Sequence, residues 1–240
     1  MMETYYLGAY WGARPEDAEA CAQRLAHMVR LLEPVDPLFA HWFKNAKSLK
    51  ETLKHPLDSD VEGLRKHIQR KLMKDDRRQP MPELGFSFGL WNGESGGDDV
   101  WLSIGCGGYS KWVSNSCVMR APHNGPVSER VLTGTFQAEV LHAIATAWDP
   151  DWGVSMSHDH RDIIAKKCPD VLVGWVTYLS RRLGRVPPLP APVRIEPVGE
   201  LGTLITLTPE RFTASNPEHL DLAERVREHL DRAGLLQRPA

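Results

Sequence analysis

The stretch that most limits what this chain can become is residues 84–120, LGFSFGLWNGESGGDDVWLSIGCGGYSKWVSNSCVMR. Phe86, Phe88 and Leu90 alternate with Ser87 and Gly89, the two-residue period of a half-buried strand. Eight residues rich in glycine and acid follow, from Asn92 to Asp99, and the chain then resumes with Val100, Leu102 and Ile104 on one face. Glycine accepts positive φ and Asn or Asp tolerates it, so this connection suits a hairpin. A third apolar run occupies 112–119. Consecutive antiparallel strands are expected here, forming the first part of a sheet on which everything else packs.

Around this stretch helical and extended patterns mix. Tyr5–Trp11 reads as a short aromatic strand. A helix follows, with Pro15 near its first turn, Glu16, Asp17 and Glu19 at its positive end, and an apolar stripe of Ala18, Cys21, Ala22, Leu25, Met28, Val29 and Leu32. Pro34 and Pro37 close it. Leu38, Phe39, Trp42 and Phe43 fall on a short helical turn, where aromatics at this spacing serve packing. A small helix is expected within 46–55, then a clearer one capped by Asp58 or Ser59, with Val61, Leu64, Ile68 and Leu72 inward and Arg65, Lys66, Arg70 and Lys71 outward. Residues 74–82 read as a linker, though not as a domain boundary, because nothing before them holds a full sheet. Beyond the hairpins come a loop at 121–127, a helix over 133–148, a strand at 152–156 and a near-continuous apolar run at 171–179 that suits a central strand. The prolines of 187–192 form a stiff connector. Residues 193–198 and 201–207 pair about Gly199-Glu200, and a final helix starts at Asn216-Pro217 with Leu220, Ala223, Val226, Leu230 and Ala233 inward. The class is α+β: a single domain over 1–240, mainly antiparallel and flanked by helices, with a basic helical segment at about 46–76, a sheet-rich part at about 84–208 and a terminal helix at about 217–233.

The net charge of −2 selects no partner, but its distribution is uneven. Residues 44–78 carry eleven Lys and Arg against six Asp and Glu, and residues 84–160 carry three against eight. Such a dipolar arrangement steers charged partners. The basic helix face, interleaved with Glu62, Asp75 and Asp76 and lacking aromatics for stacking, reads as solvated rather than as a nucleic-acid patch. Cys21, Cys106, Cys117 and Cys168 form no CxxC pair and read as buried free thiols. The amino terminus lacks a basic and apolar leader, and no run of about 18 apolar residues is present, so a cytoplasmic protein with no membrane partner is expected.

The densest array of chemical groups is Asp149-Pro150-Asp151-Trp152 followed by His158-Asp159-His160-Arg161-Asp162. Histidines at i and i+2 converge on a metal only along an extended segment, and Asp after Trp148 is explained as turn chemistry. Ser155 and Ser157 sit in no nucleophile elbow, and the glycines about Cys106 have no basic anchor for a phosphate. No catalytic residue, cofactor or metal site is assigned. An interaction surface is assigned instead: the acids Glu94, Asp98, Asp99, Asp149 and Asp151 with the aromatics Trp91, Tyr109 and Trp152, since Trp and Tyr dominate hot spots and acidic surfaces meet basic partners quickly.

The opening YYLGAYWGARPEDAEACAQRLAHMVRLLEPVDPLFAHWF, the AWDPDWG turn, VGWVTYLSRR with PPLPAP, and GTLITLTPERFTASNPEH before the last helix together resemble the immunity protein 52 family of bacterial polymorphic toxin systems. The resemblance runs from Tyr5 to Leu236. It implies a non-enzymatic antidote made beside a toxin, commonly one with a restriction-endonuclease-like domain delivered by type VI secretion. On that expectation the chain binds its toxin and touches no nucleic acid directly, the acidic surface covering the basic groove of a nuclease. Two other readings stand beside it: a metal-assisted hydrolase about His158, Asp159 and His160, and an adaptor that loads an effector without neutralising it.

Overall fold

The computed structural model describes residues 3–166 and 170–237; Cys168 lies outside them. In chain order the elements are β1 (Tyr5–Trp11), α1 (Ala18–Leu32), β2 (Phe43–Lys44), α2 (Leu49–Thr52), α3 (Val61–Gln69), β3 (Phe86–Trp91), β4 (Trp101–Cys106), β5 (Asn115–Arg120), α4 (Gly125–Val131), α5 (Gly134–Trp148), β6 (Trp152–Ser157), α6 (His158–Ala165), β7 (Val176–Ser180), β8 (Arg194–Val198), β9 (Gly202–Thr206) and α7 (Pro217–Arg232). The strands form one sheet in the order β2-β3-β4-β5-β1-β6-β7-β9-β8. Every pairing is antiparallel, so the α+β expectation holds.

The 84–120 strands are present as the meander β3-β4-β5, but they form one wing. The middle of the sheet is β1, which hydrogen-bonds β5 on one side and β6 on the other. All its residues but Tyr10 are buried, and that is why its sequence is apolar without alternation. The expected central strand at 171–179 begins later, as β7. Val171, Val173 and Trp175 are buried ahead of it, and the Trp175 Nε1 donates to the Thr208 carbonyl at 2.9 Å.

One face of the sheet carries α1, α3 and α5. Tyr5, Leu7, Ala9 and Trp11 of β1 point to it, in register with Cys117 and Met119 of β5 and Ser155 of β6. Helices α1 and α5 pack on each other, and α5 crosses β1, β6 and β7. Trp11 stacks on Trp148 at 5.4 Å, and the Trp148 Nε1 donates to the Met28 sulfur at 3.1 Å. Inside this apolar layer sits one closed polar link: the Ser155 hydroxyl donates to Gln137 Oε1 at 2.7 Å, and the Gln137 amide donates to the Val131 carbonyl at 2.8 Å.

Local chemistry sets the helix ends. Asp17, Thr133, Ser157 and Asn216 cap α1, α5, α6 and α7. The cap of α3 is Asp60, which accepts from Gly63 N at 2.8 Å; Asp58 is drawn away to Lys44 at 2.9 Å. Two helices stand where none was expected, one of them in an expected loop. Pro126 in the first turn opens α4 inside the 121–127 segment, and the Ser157 cap turns 158–165 helical. On α7 the buried positions are Leu222, Ala223, Val226 and Leu230, while Ala233 is exposed.

Candidate binding site on the open sheet face

The opposite face is uneven. Over β6 the chain around Gly174 crosses so closely that a Cβ there would meet Val154 Cγ2 at 2.5 Å. Over β3 only the Asn45 side chain comes as near among the described residues, at Gly89; over β4 and β5 the face is more open, with Ser103 and Arg120 exposed and Gly105, Ser116 and Val118 half-buried. Antiparallel sheets commonly leave one face wet and polar. Here the boundary between covered and open halves is a groove of about 580 Å³ floored by rings.

Its floor follows from the β1 register. Tyr6, Gly8 and Tyr10 point to this face, opposite Arg120, Val118 and Ser116 of β5 and Met156, Val154 and Trp152 of β6. Tyr10 stacks on Trp152 at 4.4 Å. The ring of Tyr10 lies across Gly8, where a Cβ would come within 2.3 Å of the Tyr10 hydroxyl. Gly8 is therefore what lets the ring lie flat. Tyr6 sits 5.0 Å from the His158 ring. Burial pushes the pKa of both tyrosine hydroxyls up, and burial followed by the Arg161 charge holds that of His158 down. At neutral pH the floor is uncharged. Charge enters at the rim, with Arg120 and Arg161 at the Tyr6 end and Asp151 at the other, and Asp170 also lines the groove. Flat rings beside an arginine are the composition of interface hot spots.

The eight residues assigned from sequence do not form one patch. Trp91 pairs with Trp101, which pairs with Arg120, which pairs with Tyr6, so the 92–100 turn lies at the Tyr6 end of the sheet. Asp151 adjoins Trp152, which pairs with Tyr10 at the other end. Glu94, Asp98 and Asp99 are thus separated from Asp149 and Asp151 by the length of the strands, and the single acidic face is corrected to two. Two-strand spacing was invisible to a linear reading because the β1 register decides it.

Their surroundings differ as well. Trp91 is only 3% exposed and stacks on Trp101 at 5.4 Å, and Trp152 is 6% exposed. Asn92 braces the acidic turn, its Oδ1 accepting from Val100 N at 2.9 Å and its amide donating to the Asp98 carbonyl at 3.2 Å. Asp99 accepts from Trp101 Nε1 at 2.8 Å, leaving Glu94 exposed at the tip. Asp149 and Asp151 are bound by Arg182 at 2.8 and 3.0 Å. Tyr109 is 47% exposed on the β4–β5 loop, beside Trp112 at 83% and Val113 at 42%. Of the eight, Asp151 and Trp152 line the groove. Tyr6, Tyr10, Val118, Arg120 and Arg161 were missed; the signal was β1 itself, a strand with rings on both faces.

The histidine array does not converge. On α6 successive side chains point apart: His158 reaches Tyr6, while His160 is buried against Phe212 at 4.8 Å. Among the described residues no group of three or more His, Cys, Asp or Glu is placed to hold a metal, and no helix is long and apolar enough to cross a membrane.

The sheet thus has one face packed with helices and, on the other, a groove floored by rings with opposite charges at its rim. The model of the immunity protein 52 family matches residues 3–239, and the chain belongs to that family. Membership assigns an immunity role, the binding of a cognate toxin, and points to binding rather than catalysis. No curated protein matches the sequence. The fold is similar to that of a solved structure from Pseudomonas aeruginosa, "T6SS protein PA0821", with a TM-score of 0.52 and 15% identity over 95% of this chain and 73% of that one. That likeness is one of fold.

Proposed function

We propose that this immunity protein neutralises its toxin by seating part of it in the groove on the open sheet face, and that the toxin is a nuclease-type effector of type VI secretion met in the cytoplasm. The observation that carries the reading is the Tyr10–Trp152 stack laid flat beside Val118 on the face opposite α1 and α5. Trp152 and Tyr6 are already buried at 6% exposure, so the floor is preformed and a partner seated on it orders few side chains. The nuclease assignment is supported by the acidic turn at Glu94 and Asp98, which would complement a surface built to hold phosphates.

The test is growth of cells carrying the adjacent toxin gene, with and without this chain, followed by co-purification. Wild type is expected to rescue growth and to form a stable complex. Val118→Arg, which places a charge on a half-buried position of the open face, is expected to keep the fold and lose both. Rescue and complex retained in Val118→Arg would remove the groove from the interface. A complex without rescue would make the chain an adaptor. Rescue of a toxin that leaves DNA and RNA intact in the unprotected cell would overturn the nuclease assignment alone.

A further inference from the structure

The basic segment is not absorbed by the groove. Part of it folds into a cleft of about 480 Å³ between β2, the chain from Asn45 to Asp58 and the outer side of α3. Lys44, His55, Lys66, His67, Arg70 and Lys71 line it, with Asp58 as the lining carboxylate. Two of the cations are already matched, Lys44 by Asp58 at 2.9 Å and Lys66 by Glu62 at 3.3 Å. Arg70 is exposed and Lys71 half-buried. A run of charge on a helix is usually solvated, but here a concave wall returns against it and concentrates the field.

A second observation lies inside the cleft. His67 packs edge-on against Phe88 at 5.7 Å, and its Nε2 is buried without a hydrogen-bond partner among the described residues. A ring nitrogen so placed, with Lys71, Arg70 and Lys44 about it, is a group that an anionic side chain entering the cleft can pair with. The groups facing His67 are Lys71 and Arg70 at the end of α3, Lys44 from β2 and Asp58 from the loop before α3. Burial first, and then these cations, hold its pKa down at about 4. An arriving anion would relieve that repulsion and favour a protonated ring that donates from Nε2.

We infer that this cleft is a second docking point, taking the carboxylates of an acidic segment of a protein partner. The wall that closes the cleft also carries Leu49 and Leu53, 52% and 49% exposed. Apolar side chains beside cations suit a peptide of mixed acidic and apolar residues. A nucleic-acid backbone would instead call for a longer cationic track with rings for stacking. Phe88 belongs to the helix-covered face, in register with Ile104, so the cleft opens at the β2 edge, away from the groove. The two sites can engage one toxin or two partners, and the inference does not rest on the groove.

The experiment titrates the intact chain with a short glutamate–leucine peptide at low salt. His67 is followed by NMR, and pyrophosphate and a DNA duplex serve as alternative probes. The expected result is saturable peptide binding with a rise in the His67 pKa. Binding should weaken at least about tenfold in the Lys66→Ala/Arg70→Ala/Lys71→Ala variant and be unchanged in Arg77→Ala/Arg78→Ala, whose cations belong to the same segment but do not line the cleft. His67→Phe keeps a ring against Phe88 and should weaken binding by several-fold. Val118→Arg should leave peptide binding intact, which separates failure of this site from failure of the groove. The inference is overturned if both multiple variants lose peptide equally, if His67 does not respond, or if pyrophosphate or duplex binds the cleft while the peptide does not.

Discussion

Replacing Arg182 tests how the Asp151 end of the groove is held. This side chain follows β7 and reaches back over the α5–β6 corner. Its Nη1 donates to Asp149 Oδ1 at 2.8 Å, and its Nη2 donates to the carbonyls of Asp149 and Pro150 at 3.0 and 3.1 Å. Nη2 and Nε also reach Asp151 Oδ1 at 3.0 and 3.2 Å. The other oxygen of Asp151 accepts from Gly12 N at 2.9 Å, tying the corner to the end of β1. Asp149 closes α5 in the left-handed region at φ 47°, so the arginine meets the carbonyls just past the helix end as well as the acids, a placement the helix dipole favours. Charged hydrogen bonds contribute about 1.5–3 kcal/mol when shielded and exposed ion pairs under about 1 kcal/mol. The side chain is 46% exposed, so screening removes much of the gain, and Arg182→Ala is expected to cost about 1.5 kcal/mol. Urea unfolding should show a lower midpoint at unchanged m, and thermal unfolding a Tm lower by roughly 3–6 °C for a chain of this size. Arg182→Lys should recover less than half, because an ammonium cannot span both acids and the carbonyls. Wild-type stability in Arg182→Ala, or full recovery in Arg182→Lys, would refute this account of the corner.

Two further outcomes are expected. Gly8→Ala puts a methyl group where the Tyr10 ring lies, so the ring must leave its stack on Trp152; toxin dissociation is expected to quicken by about tenfold, measured by surface plasmon resonance. His160 is buried against Phe212 and its pKa is held down at about 4 by burial, against an ordinary 6.5. Between those values the unfolded chain binds a proton that the folded chain refuses, so stability is complete above about pH 6.5 and is lost as pH falls toward 4, at up to about 1.4 kcal/mol per pH unit for this group. Unfolding free energies across that window should show a shallower slope in His160→Phe, and an unchanged slope would acquit His160.

How much of this was legible in sequence depended on whether an element declares itself locally. The meander β3-β4-β5 did, because Ser87 and Ser103 face water while Phe86, Phe88, Leu102 and Ile104 face the helices, and exposure writes the alternation. The stripe of α1 and the Asn216-Pro217 start of α7 were legible for the same reason. What was hidden was long-range. Nothing in Tyr5–Trp11 announces that it lies between β5 and β6, since a strand buried on both sides loses its period. Asp149 and Asp151 were read as turn residues and as part of an acidic interaction surface; their match, Arg182, stands some thirty positions on. The groove was missed because its rings come from β1 and β6, its valine from β5 and its arginines from β5 and α6, and only the register assembles them.

The separation of the acids into two ends changes what charge reversal can reveal. Strands of six residues set the ends roughly 17–20 Å apart, and Arg182 already answers the acids at the Asp151 end, so attraction for a basic toxin falls to the 92–100 turn. There the acids are not equivalent. Reversing Asp99 would also release Trp101 Nε1 and disturb the Trp91 stack, which confounds folding with steering. Glu94→Lys with Asp98→Lys leaves that bond in place. If the turn faces a phosphate-binding surface, this pair should slow association several-fold and flatten its dependence on salt while leaving dissociation nearly unchanged, because long-range charge acts on encounter. Groove variants should do the reverse, quickening dissociation at a constant association rate. An association rate and salt slope identical to wild type would reduce the turn to a solvated hairpin end and withdraw the electrostatic support for a nuclease, with the groove still standing on its own rings.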